Sequence, residues 1–585
     1  MLKRKSVNLI LVFAVLLTLG VSAVSAAPPA QEELTYTVKL GDNLWTLAEK
    51  YLGNGPAYHA IVAATNAKHG EDSSFASIDD PNLIHPGWKL LIPGAETSAE
   101  EAEQPKYGGV LKVAIQADVA GLDIYTSSSY SSSLIWEQVY EGLLRYTPEM
   151  RIVPCLAESY EVTDPLTYVF TLRRGVKFHN GREMTSADVK YSLERVRDPD
   201  VGCPRAHYIE AVDTIETPDD YTVIFHLSHP FSPLLSYVAS SMLAIVPDGI
   251  AEEVDLRTTL VGTGPFKFVE NIPNTRTVVE KNPDYWQEGK PYLDGIEFIP
   301  LPEDRSRTDN IVTGNVDYAD QIPQKDIDIL KDNEDLRLEG GLATLYDFLF
   351  FNLRNPPFDN IKVRQAISMA LDRKAMTNVV LYGHGYAQTC GNIAPWSWAF
   401  YDCGLYDEPN PEKAKQLMVE AGYPDGFSAV LKCGAPYKAQ IDAAQMVKEA
   451  IAPLGIEVEV VPVEWGTYLD DLLNTYNFEI AIVGWMGATD PDEWLYNHYH
   501  SEGQYNLWAY NNPRVDELLE EARMLVTNEE RKPLYDEIQK TVAEEAPVAF
   551  FFLYEQYEAV RNNVKGYKHM PNQTKITFVD SWLDE

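Results

Sequence analysis

Basic charge is scarce in this sequence: 48 lysines and arginines face 87 aspartates and glutamates, a formal net charge of -39 over 585 residues. A nucleic-acid backbone demands a basic surface, so that class of partner is excluded. The acidic balance does not by itself select a cationic ligand. Cysteine is scarce too. Cys155, Cys203, Cys390, Cys403 and Cys433 stand at spacings that match no zinc pattern. No apolar run of spanning length follows the first 26 residues, so stable transmembrane insertion is not expected. A His-Glu-x-x-His helix, a Gly-x-Ser-x-Gly elbow, a phosphate loop and a paired-cysteine redox motif are all missing. No catalytic residue, cofactor or metal is therefore expected.

What is present begins with an export signal. Lys3, Arg4 and Lys5 precede an apolar run from Leu9 to Leu19, and Val24-Ser25-Ala26 offers small residues for cleavage, so residues 1–26 read as a signal peptide. No cysteine follows closely enough for acylation, and the mature chain is expected to be exported, wall-associated or periplasmic, and not lipidated. Export permits a disulfide. Cys390 and Cys403 are nearest in sequence, and a bridge between them would close a loop holding Pro395 and Trp396.

Residues 34–94 form a small module. Tyr36 to Lys39 reads as a strand, Gly41-Asp42 as a turn, and Leu44, Leu47, Ala48 and Tyr51 as the stripe of a helix. A second helix holds Ile61, Val62 and Ala64, and Lys89 to Ile92 is a closing strand. With Tyr36, Val38, Gly41, Asp42, Leu44, Leu47, Ala48, Asn66, Ile84, Pro86, Gly87 and Ile92 in place, this strand-helix-helix-strand unit resembles a LysM module, a family that binds N-acetylglucosamine-containing glycans such as peptidoglycan. The resemblance implies a glycan site at Gly41, Asp42, Asn66, Ile84, Pro86 and Gly87. The segment from Ala67 to Asp80 is longer than the usual connection. Residues 95–106 are small, acidic and aperiodic, a flexible linker by composition.

The large region, 107–585, is organised around the stretch from Pro154 to Pro199. Tyr168, Phe170 and Leu172 alternate as in a half-buried strand, Asn180-Gly181 marks a turn, and Thr185 with Asp188 forms a helix cap. Val189, Leu193 and Val196 then give one apolar stripe. Upstream, Ser127 to Ser133 reads as an ordered polar loop. Later landmarks follow: Gly262-Thr-Gly-Pro-Phe266, Asn282-Pro-Asp-Tyr-Trp286, Val363-Arg-Gln-Ala-Ile367 with Ala370-Leu-Asp-Arg373, and Gly484-Trp485 running to Asp490-Pro491-Asp492. Helices alternating with isolated strands indicate an α/β assembly.

These landmarks, in this order, resemble the peptide/nickel (family 5) class of extracytoplasmic solute-binding proteins that feed ABC importers. The resemblance implies a two-lobed periplasmic-binding-protein-like fold with an extra domain in the first lobe. It places lobe I at about 107–145, 262–340 and 546–585, the extra domain at about 146–261 and lobe II at about 341–545. The implied function is capture of a small solute, an oligopeptide by default, for delivery to ABC importer permease subunits. An oligosaccharide is the alternative guest. A wall-remodelling enzyme and a non-transport sensor are readings from other classes.

Tryptophans Trp396, Trp398, Trp485 and Trp494 stand late in the chain, mostly beside glycine, proline and acidic residues, where each can offer a flat apolar wall and one donor. With Tyr125, Gly487, Asp490 and Asp492 they make up the candidate ligand site. In the dipeptide-binding branch an aspartate soon after the Gly-Trp pair holds the ligand ammonium, and an arginine holds its carboxylate. Here Ala488 and Gly434 stand near those positions, which disfavours a strict dipeptide binder.

Overall fold

The structure, a computed structural model, describes residues 34–38, 44–52, 57–78, 84, 88–93, 104–486 and 489–584. The signal-peptide reading, most of the linker, and Gly41, Asp42, Pro86, Gly87 and Gly487 lie outside the described residues. The chain divides into two compact units at Ala99/Glu100.

The smaller unit has the expected order. Strand Leu34–Thr37 pairs antiparallel with Lys89–Ile92, and helices Leu44–Leu52 and Tyr58–Glu71 lie between them. Leu44, Leu47, Ala48, Ile61, Leu90 and Ile92 form its core. The long connection after Ala67 is spent first on extending the second helix to Glu71. Its remainder then folds inward, because Ala76 and Ile78 are apolar and bury against the same core. Asn66 fixes that return: its side chain donates to the Ile78 carbonyl at 2.8 Å and accepts from the Ile78 amide at 2.7 Å.

The larger unit is two-lobed. One eleven-stranded sheet runs through it among the described residues. Its first-lobe end is built from Phe266–Ile272, Arg276–Lys281, Gly295–Pro300, Val110–Ile115 and Tyr318–Ala319, and its second-lobe end from Ile480–Met486, Phe427–Gly434 and Ile456–Val463. Two long strands, Leu336–Phe351 and Val548–Arg561, join the ends. They pair antiparallel from Leu336–Arg561 to Phe350–Val548, with a register shift between Leu342 and Tyr346. There the first of them begins pairing with the second lobe, Leu345 opposite Met486. The ladder lapses where the strand takes on a second partner along its other edge, and pairing with the first resumes at Tyr346–Leu553.

A separate four-stranded antiparallel sheet, Ala157–Asp164, Thr167–Leu172, Thr222–Leu227 and Val212–Asp219, carries the organising stretch. Tyr168, Phe170 and Leu172 point into its core, as do Val189, Leu193 and Val196 of helix Ser186–Arg197. The Thr185 amide donates to Asp188 at 2.7 Å, closing the helix start as its spacing predicts. This core is continuous with that of the first lobe. The serine run differs from its expectation: helix Tyr130–Val139 begins inside it, and Ser131, Ser132 and Ser133 are buried. The Ser131 and Ser133 hydroxyls donate to the Asp118 and Tyr130 carbonyls, which satisfies two of the three buried hydroxyls of the run.

Candidate functional site

Two recesses stand out, one lined from the first lobe with its neighbouring segments and one lined from the second lobe. The larger, about 540 Å³, is lined by Glu137, Glu141, Tyr146, Ser241, Asn572 and Thr574 among others. The smaller, about 280 Å³, is lined by Thr344, Asn392, Trp396, Thr489, Pro491 and Trp494 among others. They meet at one contact, for the Thr489 hydroxyl donates to the Tyr146 oxygen at 2.8 Å.

The second-lobe wall is built around the crossing strand. At the register lapse the Leu342 carbonyl is free to accept from Trp396 Nε1, at 2.9 Å. Asn392 donates to the Tyr346 hydroxyl at 2.9 Å, and Trp494 stands edge-on to the Tyr346 ring at 5.5 Å. Cys390 and Cys403 are bridged, Cα–Cα 5.6 Å, so the loop carrying Trp396 is held at both ends. Trp485, half-buried, meets Trp494 edge-on at 6.4 Å and Tyr505 at 4.7 Å. Trp398 touches Tyr535 and lies under the Arg531 guanidinium, 5.2 Å away.

Asp490 and Asp492, offered by sequence as ligand anchors, are engaged by the protein itself. Asp490 forms a fork with Arg531 at 2.6 and 3.0 Å, accepts from Ser236 at 3.1 Å, and caps helix Pro491–Tyr499 through the Asp492 amide. Asp492, fully buried, is held by Arg523 at 2.9 Å. Both charges are matched inside the fold, which removes the need for a guest cation at either. Tyr125 is placed elsewhere. Its ring is buried in the first-lobe core with Leu122 and Ile124, 5.0 Å from the Arg195 guanidinium. The turn that sequence reading put at an element edge is covered, since three of its side chains are large and apolar and the helix above it takes them in.

A side chain at Gly434 would crowd its aromatic neighbours. A Cβ there would stand 2.9 Å from the Tyr437 ring and 3.2 Å from Trp465. Behind the first-lobe recess sits a buried ionic group: Lys575 Nζ lies 2.7 Å from Glu558 and 3.3 Å from Asp320, and Glu558 also accepts from His569 at 2.9 Å. Burial opposes the Glu558 charge, but His569 and Lys575 together hold its carboxyl down at about 2. Glu137, which takes the Lys575 amide at 2.6 Å, is pushed up by burial to about 8.

Sequence reading missed Tyr146, Thr489, Asn392 and Glu137. None stands in a motif, and each becomes a wall residue only through long-range packing. His498 is stacked between Trp494 and Trp508 with its pKa lowered by burial to about 4. Among the described residues no cluster of three metal-ligating side chains occurs, and no helix is long and apolar enough to cross a membrane.

Residues 151–506 match the family model described as bacterial extracellular solute-binding proteins, family 5 middle. The chain belongs to that family. Residues 36–63 match the LysM domain. Among relatives, the glutathione-binding protein GsiB of Pectobacterium atrosepticum is 29% identical over 512 residues, covering 85% of this chain and 98% of its own. A similar fold is seen in the PBP AgaA of A. tumefaciens R10, solved with agropinic acid, at TM-score 0.70 and 29% identity over 82% of this chain and 99% of that one. AppA of Bacillus subtilis, solved with a nonapeptide, gives TM-score 0.70 and 28% identity over 82% of this chain and all of its own. This is an extracytoplasmic solute-binding protein with a LysM-like module at its N-terminal side.

Proposed function

We propose that the chain captures a short peptide between its lobes and delivers it to an ABC importer, while the LysM-like module keeps it close to wall glycan. The observation that carries the reading is a strand edge with no ladder partner among the described residues. Strand Ile480–Met486 pairs with the crossing strand along its whole length, but with Phe427–Gly434 only as far as Ile482. Val483 to Met486 therefore offer main-chain donors and acceptors along one side, beside Trp485. An extended peptide is held by such an edge through its own backbone, which explains how binding proceeds without charged anchors at 434 and 488. Oligosaccharides have no such backbone ladder to offer. The neighbouring relatives support the reading, since one is named for glutathione and another was solved with a nonapeptide.

Closure would follow the usual logic: the guest touches both lobes only when they meet, so it shifts the population toward the closed form. Mass spectrometry of solutes extracted under denaturing conditions from the purified mature chain tests the guest class. Peptides are expected. Sugars alone would replace the reading, and muropeptide release on incubation with wall material would point to an enzyme. Wall association is checked by co-sedimentation with purified peptidoglycan, expected for the full chain and lost on deletion of 34–94.

A further inference from the structure

Two tryptophans, Trp396 and Trp494, line the smaller recess, and its polar groups come from Asn392, Thr344, Ser397 and Thr489. No ionisable side chain lines it. Pro491 in its wall stands between Asp490 and Asp492, and these acids are matched by Arg531 and Arg523, so the charges beside the recess are paired. Asn392 is only 6% exposed. Its Nδ2 donates to the Tyr346 hydroxyl at 2.9 Å, which fixes the carboxamide, while its Oδ1 is buried and accepts from no described residue. Thr344 is as deeply buried, and its hydroxyl makes no hydrogen bond with a described residue. It comes from the stretch of the crossing strand where the ladder with Val548–Arg561 lapses.

The loop that carries Asn392 is held from several sides. Gln388 donates to the Ile393 carbonyl at 3.1 Å, the Ser397 amide donates to the Ala394 carbonyl at 2.8 Å, and the Cys390–Cys403 bridge spans the segment. One acceptor and one hydroxyl are thus fixed in an uncharged wall. The recess also adjoins the strand segment that has no ladder partner on one side. Tyr346, the anchor of Asn392, is the ladder partner of Trp485 in that segment, and Trp485 meets Trp494 edge-on at 6.4 Å.

We propose that this recess receives an asparagine or glutamine side chain of the bound peptide, with Asn392 accepting from the carboxamide N–H and Thr344 donating to its carbonyl. This rests on the peptide reading above and deepens it. A buried acceptor left unpaired is costly, so a guest that brings a donor to Asn392 is favoured over an apolar guest of the same size. A carboxylate of that shape satisfies Thr344 but sets oxygen against oxygen at Asn392. A lysine or arginine brings donors, yet no acid in the lining matches its charge. At about 280 Å³ the recess lies below the range of drug-sized pockets and suits one side chain.

The test uses the full mature chain and six-residue peptides of alanine, glycine and leucine in which one position, varied along the peptide, carries glutamine, asparagine, glutamate or norleucine in equal amounts. Retained peptides are extracted under denaturing conditions and counted by mass spectrometry. At one position wild type is expected to enrich a carboxamide roughly tenfold over norleucine and at least as much over glutamate. The glutamine and asparagine arms show which length reaches Asn392. Asn392→Leu keeps the approximate shape and removes the acceptor, and should cut the ratio over norleucine to about twofold or less; Thr344→Val should lower it about threefold. Thermal melts show whether each variant folds, and Thr344→Val supplies the readout if Asn392→Leu does not. No carboxamide preference in wild type, a preference for glutamate, or an unchanged ratio in either folded variant overturns the proposal and leaves the peptide reading standing. Retention of no peptide at all overturns the peptide reading, and the proposal with it.

Discussion

The Thr489 hydroxyl donates to Tyr146 at 2.8 Å, and this bond joins the second lobe to the first-lobe recess. It forms only when the two lobes are together, so its strength counts toward closure alone. Thr489→Val keeps the shape and removes the donor. Affinity for a retained peptide should fall by roughly twofold to tenfold, the worth of one hydrogen bond, with the melting temperature of the ligand-free chain unchanged. Titration calorimetry on both proteins checks it.

Lys575 is buried against Glu558 and Asp320, and the group fastens the C-terminal segment to a crossing strand. Removing one partner leaves a buried charge without its match. Lys575→Met is expected to cost about 3–5 kcal/mol, read as a lower denaturant midpoint. Glu558, held down at about 2, contributes stability that is present above the ordinary carboxylate range and lost as the pH falls toward 2. Glu558→Gln should flatten the acid limb of the stability curve.

Glu137 gives the opposite sign. Its carboxyl is raised to about 8, so between pH 5 and about 8 the folded chain keeps a proton that the unfolded chain releases. Stability therefore falls as the pH rises through that window. Glu137→Gln should lessen the fall, and thermal melts at pH 5 and pH 8 measure the difference between the two slopes.

The Cys390–Cys403 bridge spans a sequence separation of 13 and holds the Trp396 loop. Replacing both cysteines by serine should lower stability by about 3 kcal/mol on the loop-entropy model. It should also weaken peptide binding, since Trp396 would no longer be fixed from both ends. Chemical denaturation and calorimetry of the double variant against wild type test the two effects.

Local order was readable from sequence wherever one element carries its own signal. Thr185 with Asp188 and the alternation from Tyr168 to Leu172 mark a cap and a strand because capping and side-chain period act over a few residues. Trp485 and Trp494 do meet in the fold, but Trp494 is buried, which its place beside a turn did not indicate. Tyr125 was misread for the same local reason: its neighbours look like a loop, and only packing shows that the loop is roofed. The roles of Asp490 and Asp492 were hidden because Arg531 and Arg523 lie about thirty to forty positions away in the chain.

What the sequence by itself determined is the pair of units, the element order and the family pattern, all properties of neighbours and spacing. What the tertiary structure decided is which acids are satisfied. Charge matching is made across the fold, so only the folded chain shows that Asp490 and Asp492 are matched by Arg531 and Arg523.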